Sequence, residues 1–513
     1  MQPWYGAAVR DRRWQGTPSR HDSADRARLA DLLAEQNPDG RLAASLEALR
    51  QGANAVVTGQ QVGLLGGPLF TIHKAATAVA QARQATETGH PHVPIFWLAS
   101  EDHDFLEINH VTFPARRELE KLTYAPEPAA AVPVGTVVLD DSILPIIDRA
   151  WELIGYSDAM EWLAAAYKPG KTLAAAFAEF YGKVFASQGL LVLDPAGREA
   201  HRLGSPVLRA AIERADELHE ALLARNREIT AASYAAQVAV AERGSLLFLI
   251  QNREGDRTGP RIALKRTPAT SSEPGGLWQA GRQSYSTSDL LGILESEPER
   301  ISPSALLRPV FQDQILPTSA YIGGPAEIAY FAQSAVLYER ILGRLTPVLP
   351  RLSATLVDPA IAELLDRHEL SFETVLENTQ ESLAQRLAAR AMPIESKRRL
   401  AATGNALDVE LSALTDYMSS VDEGLGRSAD VSASKMRYQM NRLRRMAANF
   451  ELQKEASLAR HTQAVINALY PHDGLQERTL GAAWFLARYG EPLIEKLVAE
   501  GADGCPGHKL IRL

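Results

Sequence analysis

The chain has 513 residues, enough for about three domains, and 46% of it is hydrophobic, far above the disordered range. Its 54 Lys and Arg against 62 Asp and Glu give a formal charge of −8, which argues against sequence-independent nucleic-acid binding, since that needs a basic field. A single cysteine, Cys505, excludes an internal disulfide and any multi-cysteine zinc site. The opening MQPWYGAAVRDRRWQG has no continuous apolar core, so no signal peptide is expected, and no stretch approaches the ~18 uninterrupted apolar residues of a membrane span. These properties lead us to expect a soluble, cytoplasmic, multi-domain protein.

The predicted elements begin with a helix over residues 24–51, where Leu29, Leu32, Leu33, Leu42, Leu46 and Leu49 share an apolar face. Ala55-Val56-Val57-Thr58 is then a short β-branched strand ending at Gly59, and a loop follows with Gly63, Gly66 and Gly67. An alanine-rich helix is predicted over 68–87, and Pro68 suits its first turn. The apolar run HVPIFWLA at 92–99 reads as a strand buried on both faces. Strand, glycine-rich loop, helix and strand in that order are a βαβ unit. The fold class is therefore α/β, with a doubly wound parallel sheet starting here.

Two segments of this unit carry chemistry. In TGQQVGLLGGPLFTIHK at 58–74, glycines at a strand's carboxyl end let the backbone approach a ligand, and the helix start offers free N–H groups to an anion. His73 and Lys74 sit in the early turns, where cationic donors reach phosphate oxygens. The spacing is neither GxGxxG nor GxxxxGK[ST], and a tight turn with a structural histidine fits it equally well. The second segment is Glu101-Asp102-His103-Asp104, with Asn109 and His110 just beyond. It directly follows an apolar strand and so lies at the carboxyl edge of the sheet, where open α/β sheets bind ligands. Clustered carboxylates beside histidines share protons, bind an ammonium group or hold a divalent metal. The competing reading is a polar loop whose acids cap the next helix.

Further along, a helix is predicted over 172–187, then a strand over 189–194 that ends in Asp194. SLLFLIQ at 245–251 is another strand, with 261–265 as its pairing partner, and the Pro/Gly/Ser-rich stretch 267–281 reads as a loop or insertion. Residues 302–327 place Arg308, Gln312 and Asp313 in apolar surroundings. They also repeat the strand–GGP–helix order at Gly323, Gly324 and Pro325, with Glu327 following. A buried arginine there needs an anionic partner, from the protein or from a ligand.

From about residue 358 the pattern turns helical. Leu407, Leu411, Leu414, Met418, Val421 and Leu425 are spaced 4-3-4-3-4, and Met436, Met440, Leu443, Ala447 and Phe450 follow suit. With a turn over 422–434, these segments form an antiparallel coiled-coil hairpin, whose lateral apolar surface leads us to expect a homodimer. Ser434-Lys435-Met436 resembles the lysine loop of class I synthetases, but Met436 belongs to the seam, so the segment is read as structural. Trp484, Phe485 and Tyr489, at helical spacing, are read as core, and Cys505 as non-catalytic. A helix and a closing strand at 509–513 complete the chain.

VVTGQQVGLLGGPLFTIHK, PIFWLASEDHDFLEINHV and SPSALLRPVFQDQILPTSAYIGGPAEIAYF, in this order, resemble the bacillithiol-biosynthesis cysteine-adding enzymes, the BshC family. The resemblance runs over nearly the whole chain, through the hairpin to the closing PGHKLIRL. It implies a Rossmann-type core like that of class I aminoacyl-tRNA synthetases and nucleotidyltransferases, with insertions at 115–170 and 252–300. Core, helical hairpin and returning segment would then be 1–360, 361–475 and 476–513. The implied reaction joins cysteine to the amine of glucosaminyl malate, using ATP with Mg2+ to activate the cysteine carboxylate.

On this resemblance Thr58, Gly59, Gln60, Gln61, Gly66, Gly67, His73 and Lys74 form the nucleotide side of the pocket. His73 takes the part of the synthetase signature histidine. Glu101, Asp102, His103 and Asp104 hold amino groups, and one of them deprotonates the attacking amine. Asn109, His110, Arg308, Gly323, Gly324 and Glu327 complete the expected binding set. Neither a HIGH tetrapeptide nor a KMSKS loop is present. Cysteine-specific synthetases read the thiol with zinc, whereas this chain offers only histidines and acids, so no zinc site is expected. The alternative enzyme is a metal-dependent hydrolase, an amidase or phosphoesterase, built on Glu101–Asp104. A non-enzymatic dimer scaffold is the third reading, and it leaves the glycine loop and the acids idle.

Overall fold

Five parallel strands form the central sheet of the computed structural model, which describes residues 4–5, 11–18, 21–128, 130–241, 244–251, 259–267, 276–454 and 456–513. They are β1 (Asn54–Gln60), β2 (His92–Leu98), β3 (Leu191–Leu193), β4 (Thr318–Gly323) and β5 (Val348–Pro350). Their spatial order is β5-β4-β1-β2-β3, every neighbouring pair parallel. The chain moves outward from β1 to β3, then returns to the other side of β1 for β4 and β5. The strand order therefore reverses between β1 and β4, the place where doubly wound sheets bind ligands. All seven residues of β2 are buried, as its unbroken apolar run requires of a strand covered on both faces.

Helix α1 (Phe70–Glu87) carries the chain from β1 to β2 and is buried almost all round. Its alanines make it thin, so the sheet lies on one side and the helix Ala482–Gly501 on the other, with Gly501 against Thr77. Helices α2 (Arg198–Glu213) and α3 (Ala215–Ala231) follow β3, and α4 (Arg308–Ile315) and α5 (Pro325–Leu337) flank β4. A second sheet is antiparallel, in the order Ile301–Pro303, Gly244–Ile250, Arg261–Thr267, Leu277–Ala280, Gln283–Ser286. Parts of the expected insertion and loop, at 252–258 and 268–275, lie outside the described residues.

The first predicted helix is broken in two. Residues 24–51 form two helices, Ser23–Gln36 and Ala43–Arg50, because Pro38 disfavours helix at Asn37 and lacks an N–H of its own. Asn37 uses its side chain instead, donating to Val192 O and accepting from Val192 N at 2.8 Å each, which ties the break to β3.

The chain divides into two compact units, one of Met1–Phe113, Glu120–Ala354 and Glu477–Lys509, the other of Pro114–Leu119, Thr355–Gln476 and Leu510–Leu513. The second is helical, with Val357, Leu365, Leu383, Leu387, Val465 and Leu469 in its core. Its hairpin is α6 (Ile394–Val421) and α7 (Glu423–Lys454), joined through the single residue Asp422 rather than the expected turn over 422–434. Gly424 and Gly426 are helical. A Cβ on Gly426 would lie 2.3 Å from Ser419 Oγ, so glycine serves close helix contact here, not a turn. The seam also differs from the heptad expectation. Leu411 and Met440 are buried, but Leu414, Val421, Leu425, Met436, Leu443 and Phe450 are exposed on the single chain, while Gly404, Gly426 and Ala433 fill the contact. No described helix is long and apolar enough to cross a membrane.

Candidate active site

At the reversal of strand order the ends of β1 and β4 part, and a chamber of about 290 Å³ opens between them. Gly59, Gln60 and Gln61 line it from β1, Gly324, Pro325 and Glu327 from the start of α5, and Lys74 from α1. Lys74 Nζ pairs with Glu327 at 2.6 Å and donates to Gly59 O and Gln60 Oε1, so one ammonium group ties both sides of the opening together. Burial pulls the Lys74 ammonium below its ordinary value and works against the Glu327 charge as well. Lys74, with Tyr321 donating at 2.6 Å, still holds the Glu327 carboxyl below the usual range. Arg308, Arg351 and Arg478 add positive charge to the same walls.

A larger chamber, about 420 Å³, lies beyond the end of β2. The two cavities share Ala99, Asp102, Ala305 and Arg308. On the larger side Glu101, His103 and Arg261 face walls of apolar residues from α3 and the antiparallel sheet. Arg261 lies 3.7 Å over the Phe248 ring and donates to Ser302 Oγ and Pro303 O, with His103 Nδ1 3.1 Å from its Nη1. Gln61 donates to Asp102 at 2.7 Å and to Glu107 at 3.0 Å. Burial alone would raise the Asp102 carboxyl, but Gln61, the His103 N–H, Arg261 and Arg308 keep it below its ordinary value.

The expected residues thus divide. Gly59, Gln60, Gln61, Lys74, Glu101, Asp102, His103, Arg308, Gly324 and Glu327 line one chamber or both. Asp104 caps the short helix Phe105–Ile108 through the Glu107 N–H, the capping role weighed from the sequence. Thr58 bridges strands by donating to Ile322 O. Gly66 and Gly67, with φ of +85° and +68°, shape a buried turn held by the Tyr167 and Tyr181 hydroxyls. His73 is fully buried off the chambers, its Nδ1 3.2 Å from Glu477, and Glu477 also takes both terminal nitrogens of Arg351. Asn109 donates to Tyr124 O, with His110 beside it. Gly323 is buried within β4.

Several residues of the site were not singled out from sequence: Arg261, His219, Trp97, Arg351 and Arg478 on the walls, and His201 behind Glu101. Most belong to elements distant in the chain, and only the acid at the end of β3 signals that a second strand contributes. Among the described residues no group of three or more His, Cys, Asp or Glu side chains could hold a metal ion.

Residues 2–352 match the family model described as bacillithiol biosynthesis BshC, N-terminal Rossmann-like domain, and residues 354–513 the BshC C-terminal coiled-coil domain. The chain belongs to the BshC family. A relative from Koribacter versatilis, named "Putative cysteine ligase BshC", is 41% identical over 92% of this chain and 86% of its own. A relative of the same name from Solibacter usitatus is 35% identical, over 95% and 89%. Among solved structures, one titled as a putative arginyl-tRNA synthetase from Campylobacter jejuni aligns at 11% identity over 87% of this chain and 92% of that one. Its TM-score is 0.24. The Rossmann-like core and coiled-coil domain expected for a BshC member are both present, and the relatives' names support a ligase rather than the hydrolase alternative.

Proposed function

We propose that this BshC member is an ATP-driven cysteine ligase that joins the cysteine carboxyl to the amine of glucosaminyl malate, giving bacillithiol. The observation that supports it is the pair of chambers meeting at Asp102 and Arg308, one lined with cations and the other with a buried carboxylate on its wall. Amide formation from a free carboxylate needs activation, and ATP would supply it by forming a mixed anhydride between cysteine and AMP. Arg308 and Arg478 would take phosphate oxygens. Lys74 is already engaged by Glu327 and the β1 backbone, so its part is to hold the chamber in shape. Asp102 and Glu107, bridged by Gln61, suit Mg2+, which is held by one or two carboxylates plus substrate phosphates.

The larger chamber would receive the acceptor. Glu101, His103 and Arg261 on its wall offer polar partners to the hydroxyl and amino groups of such a substrate. A nucleotide-driven reaction on a substrate that carries a free thiol suits the cytoplasm, and the exposed apolar faces of α6 and α7 would be covered in a homodimer. The test is incubation of the purified chain with ATP, Mg2+, cysteine and glucosaminyl malate. Mass detection should find bacillithiol and AMP in equal amounts. ADP in place of AMP would overturn the anhydride route, and no product at all would overturn the function.

A further inference from the structure

The larger chamber has two unlike ends. Glu101, Asp102, His103, Arg261 and Arg308 come from the end of β2, the antiparallel sheet and the start of α4. Asp102 and Arg308 among them mark the junction with the smaller chamber. The rest of the wall is built by other elements. Helices α2 and α3 and residues 238–241 contribute Ala211, Ala215, Leu222, Val238 and Val240. Among the described residues of these three segments, His219 is the one ionisable side chain on the wall. None of them lines the smaller chamber, so this apolar end belongs to the larger one alone.

The apolar end is held in place by a buried amide. Gln333 of α5 is wholly buried, accepts from Val238 N and donates to Val238 O, at 2.9 Å each. The same side chain donates to Asn226 Oδ1 of α3, also at 2.9 Å, and so ties residue 238 to two helices. Ala211 near the end of α2 and Ala215 at the start of α3 offer only methyl groups, and larger side chains there would take up the space. At about 420 Å³ the chamber falls in the range of pockets that enclose a drug-sized ligand.

An acceptor has to present its amine where the chambers meet, because the activated carboxyl would stand on the nucleotide side. The rest of the molecule then extends along the larger chamber. Glucosaminyl malate carries hydroxyl and carboxyl groups over its whole length, and these gain no partner from alanine, leucine and valine. It suits the polar end and leaves the apolar end unused. We propose that the larger chamber also admits primary amines with an apolar tail, amino sugars bearing an alkyl or aryl aglycone, and that the enzyme joins cysteine to them. This rests on the ligase reading above. The lone pair of the neutral amine attacks the cysteinyl carbonyl of the anhydride and a C–N bond forms. The C–O bond to phosphate breaks as AMP leaves with its electron pair, and the extra proton on nitrogen passes to water.

Alkyl glucosaminides from methyl to butyl test this as acceptors, with the cysteinyl product measured by mass. Each buried methylene should raise kcat/KM by about 3- to 4-fold, so butyl should exceed methyl by roughly 30- to 60-fold. The gain should lie in KM, since apolar contact is the same in the ground and transition states. Ala215→Phe fills the apolar end and Val240→Asp places a charge on it, and either should bring the butyl-to-methyl ratio close to 1. An unchanged ratio in Ala215→Phe, or in the half-buried Val240→Asp should Ala215→Phe fail to fold, would overturn the inference. A wild type that shows cysteine-dependent ATP–pyrophosphate exchange but no rise along the series would overturn it too, and leave the ligase reading in place. A wild type with neither exchange nor product from any acceptor would overturn the ligase reading, and this inference with it.

Discussion

Arg308 shows how much one side chain of this site carries. It belongs to both chambers, its Nη2 lies 2.6 Å from the Tyr330 hydroxyl, and it faces Asp102 and Glu327. Those anions and the two tyrosines hold its charge more firmly than burial opposes it. A hydrogen bond to a charged group is worth about 1.5–3 kcal/mol, so Arg308→Met should weaken nucleotide binding by roughly 10- to 100-fold in calorimetry. Arg308→Lys should recover only part, lacking the planar fork. Unchanged ATP affinity in Arg308→Met would remove Arg308 from the nucleotide side.

His73 belongs to the same scale but to stability. Burial holds its imidazole below the ordinary value, against the pull of Glu477. A folded-state value below the unfolded one means the unfolded chain binds more protons in the interval between them, so stability rises with pH there and falls on acidification below about 6.5. Glu477 acts in the same direction. Burial would raise it, but His73 and Arg351 hold it well below the carboxylate range, and its contribution is lost as pH falls through the folded-state value. The thermal midpoint should therefore drop between about pH 6.5 and 5, and His73→Gln should flatten that slope without abolishing it, because His21 and His92 are also held low by burial. An identical slope in the variant would exclude His73 as a source.

At the scale of elements, the contact of α2 with α4 sets the geometry behind Glu101. A Cβ on Gly204 would lie 2.1 Å from Phe311 Cε2, so only glycine lets the helices meet. His201 is one turn earlier on the same helix and rests on the same ring. In an open helix Gly→Ala is stabilising by about 1 kcal/mol. Here overpacking should reverse the sign, with Gly204→Ala costing about 1–3 kcal/mol in denaturant titration. Adding Phe311→Leu should return part of it. A stabilised Gly204→Ala would show that the contact is looser than described.

Elements also explain what was legible in the sequence. HVPIFWL announces β2 because a strand covered on both faces needs no polar alternation, and EDHD is visible because four ionisable residues follow it directly. The break at Asn37 was hidden by leucines that keep helical spacing across Pro38. His201, Arg261 and Arg478 carry no local signal, since their meaning comes from strand order: the first two meet Glu101 and His103 across 100 or more residues of chain, and Arg478 lines the same chamber as Lys74. His73 and Gly66-Gly67 look like ligand contacts locally, but long-range burial turns them to structure.

At the scale of the molecule, the helical hairpin poses a question that a single chain does not answer. The heptad spacing of leucine, methionine and phenylalanine is real, yet half of those residues face outward because glycine and alanine occupy the intramolecular contact. Leu414, Val421 and Leu425 on α6 and Met436, Leu443 and Phe450 on α7 then form apolar surface that water would have to cover. A two-fold partner would bury it. This separates two kinds of substitution. Leu414→Lys with Leu443→Lys touches only exposed positions, so it should abolish the dimer while the thermal midpoint of the released monomer stays within a few degrees of a hairpin intact on its own. Leu411→Lys or Met440→Lys places an unpaired charge in the buried contact and should unfold the hairpin itself, costing several kcal/mol. Light scattering and circular dichroism at micromolar concentration read the two effects apart. A wild-type mass of one chain, 55.9 kDa, or a double-lysine variant that stays dimeric, would exclude these faces as the interface.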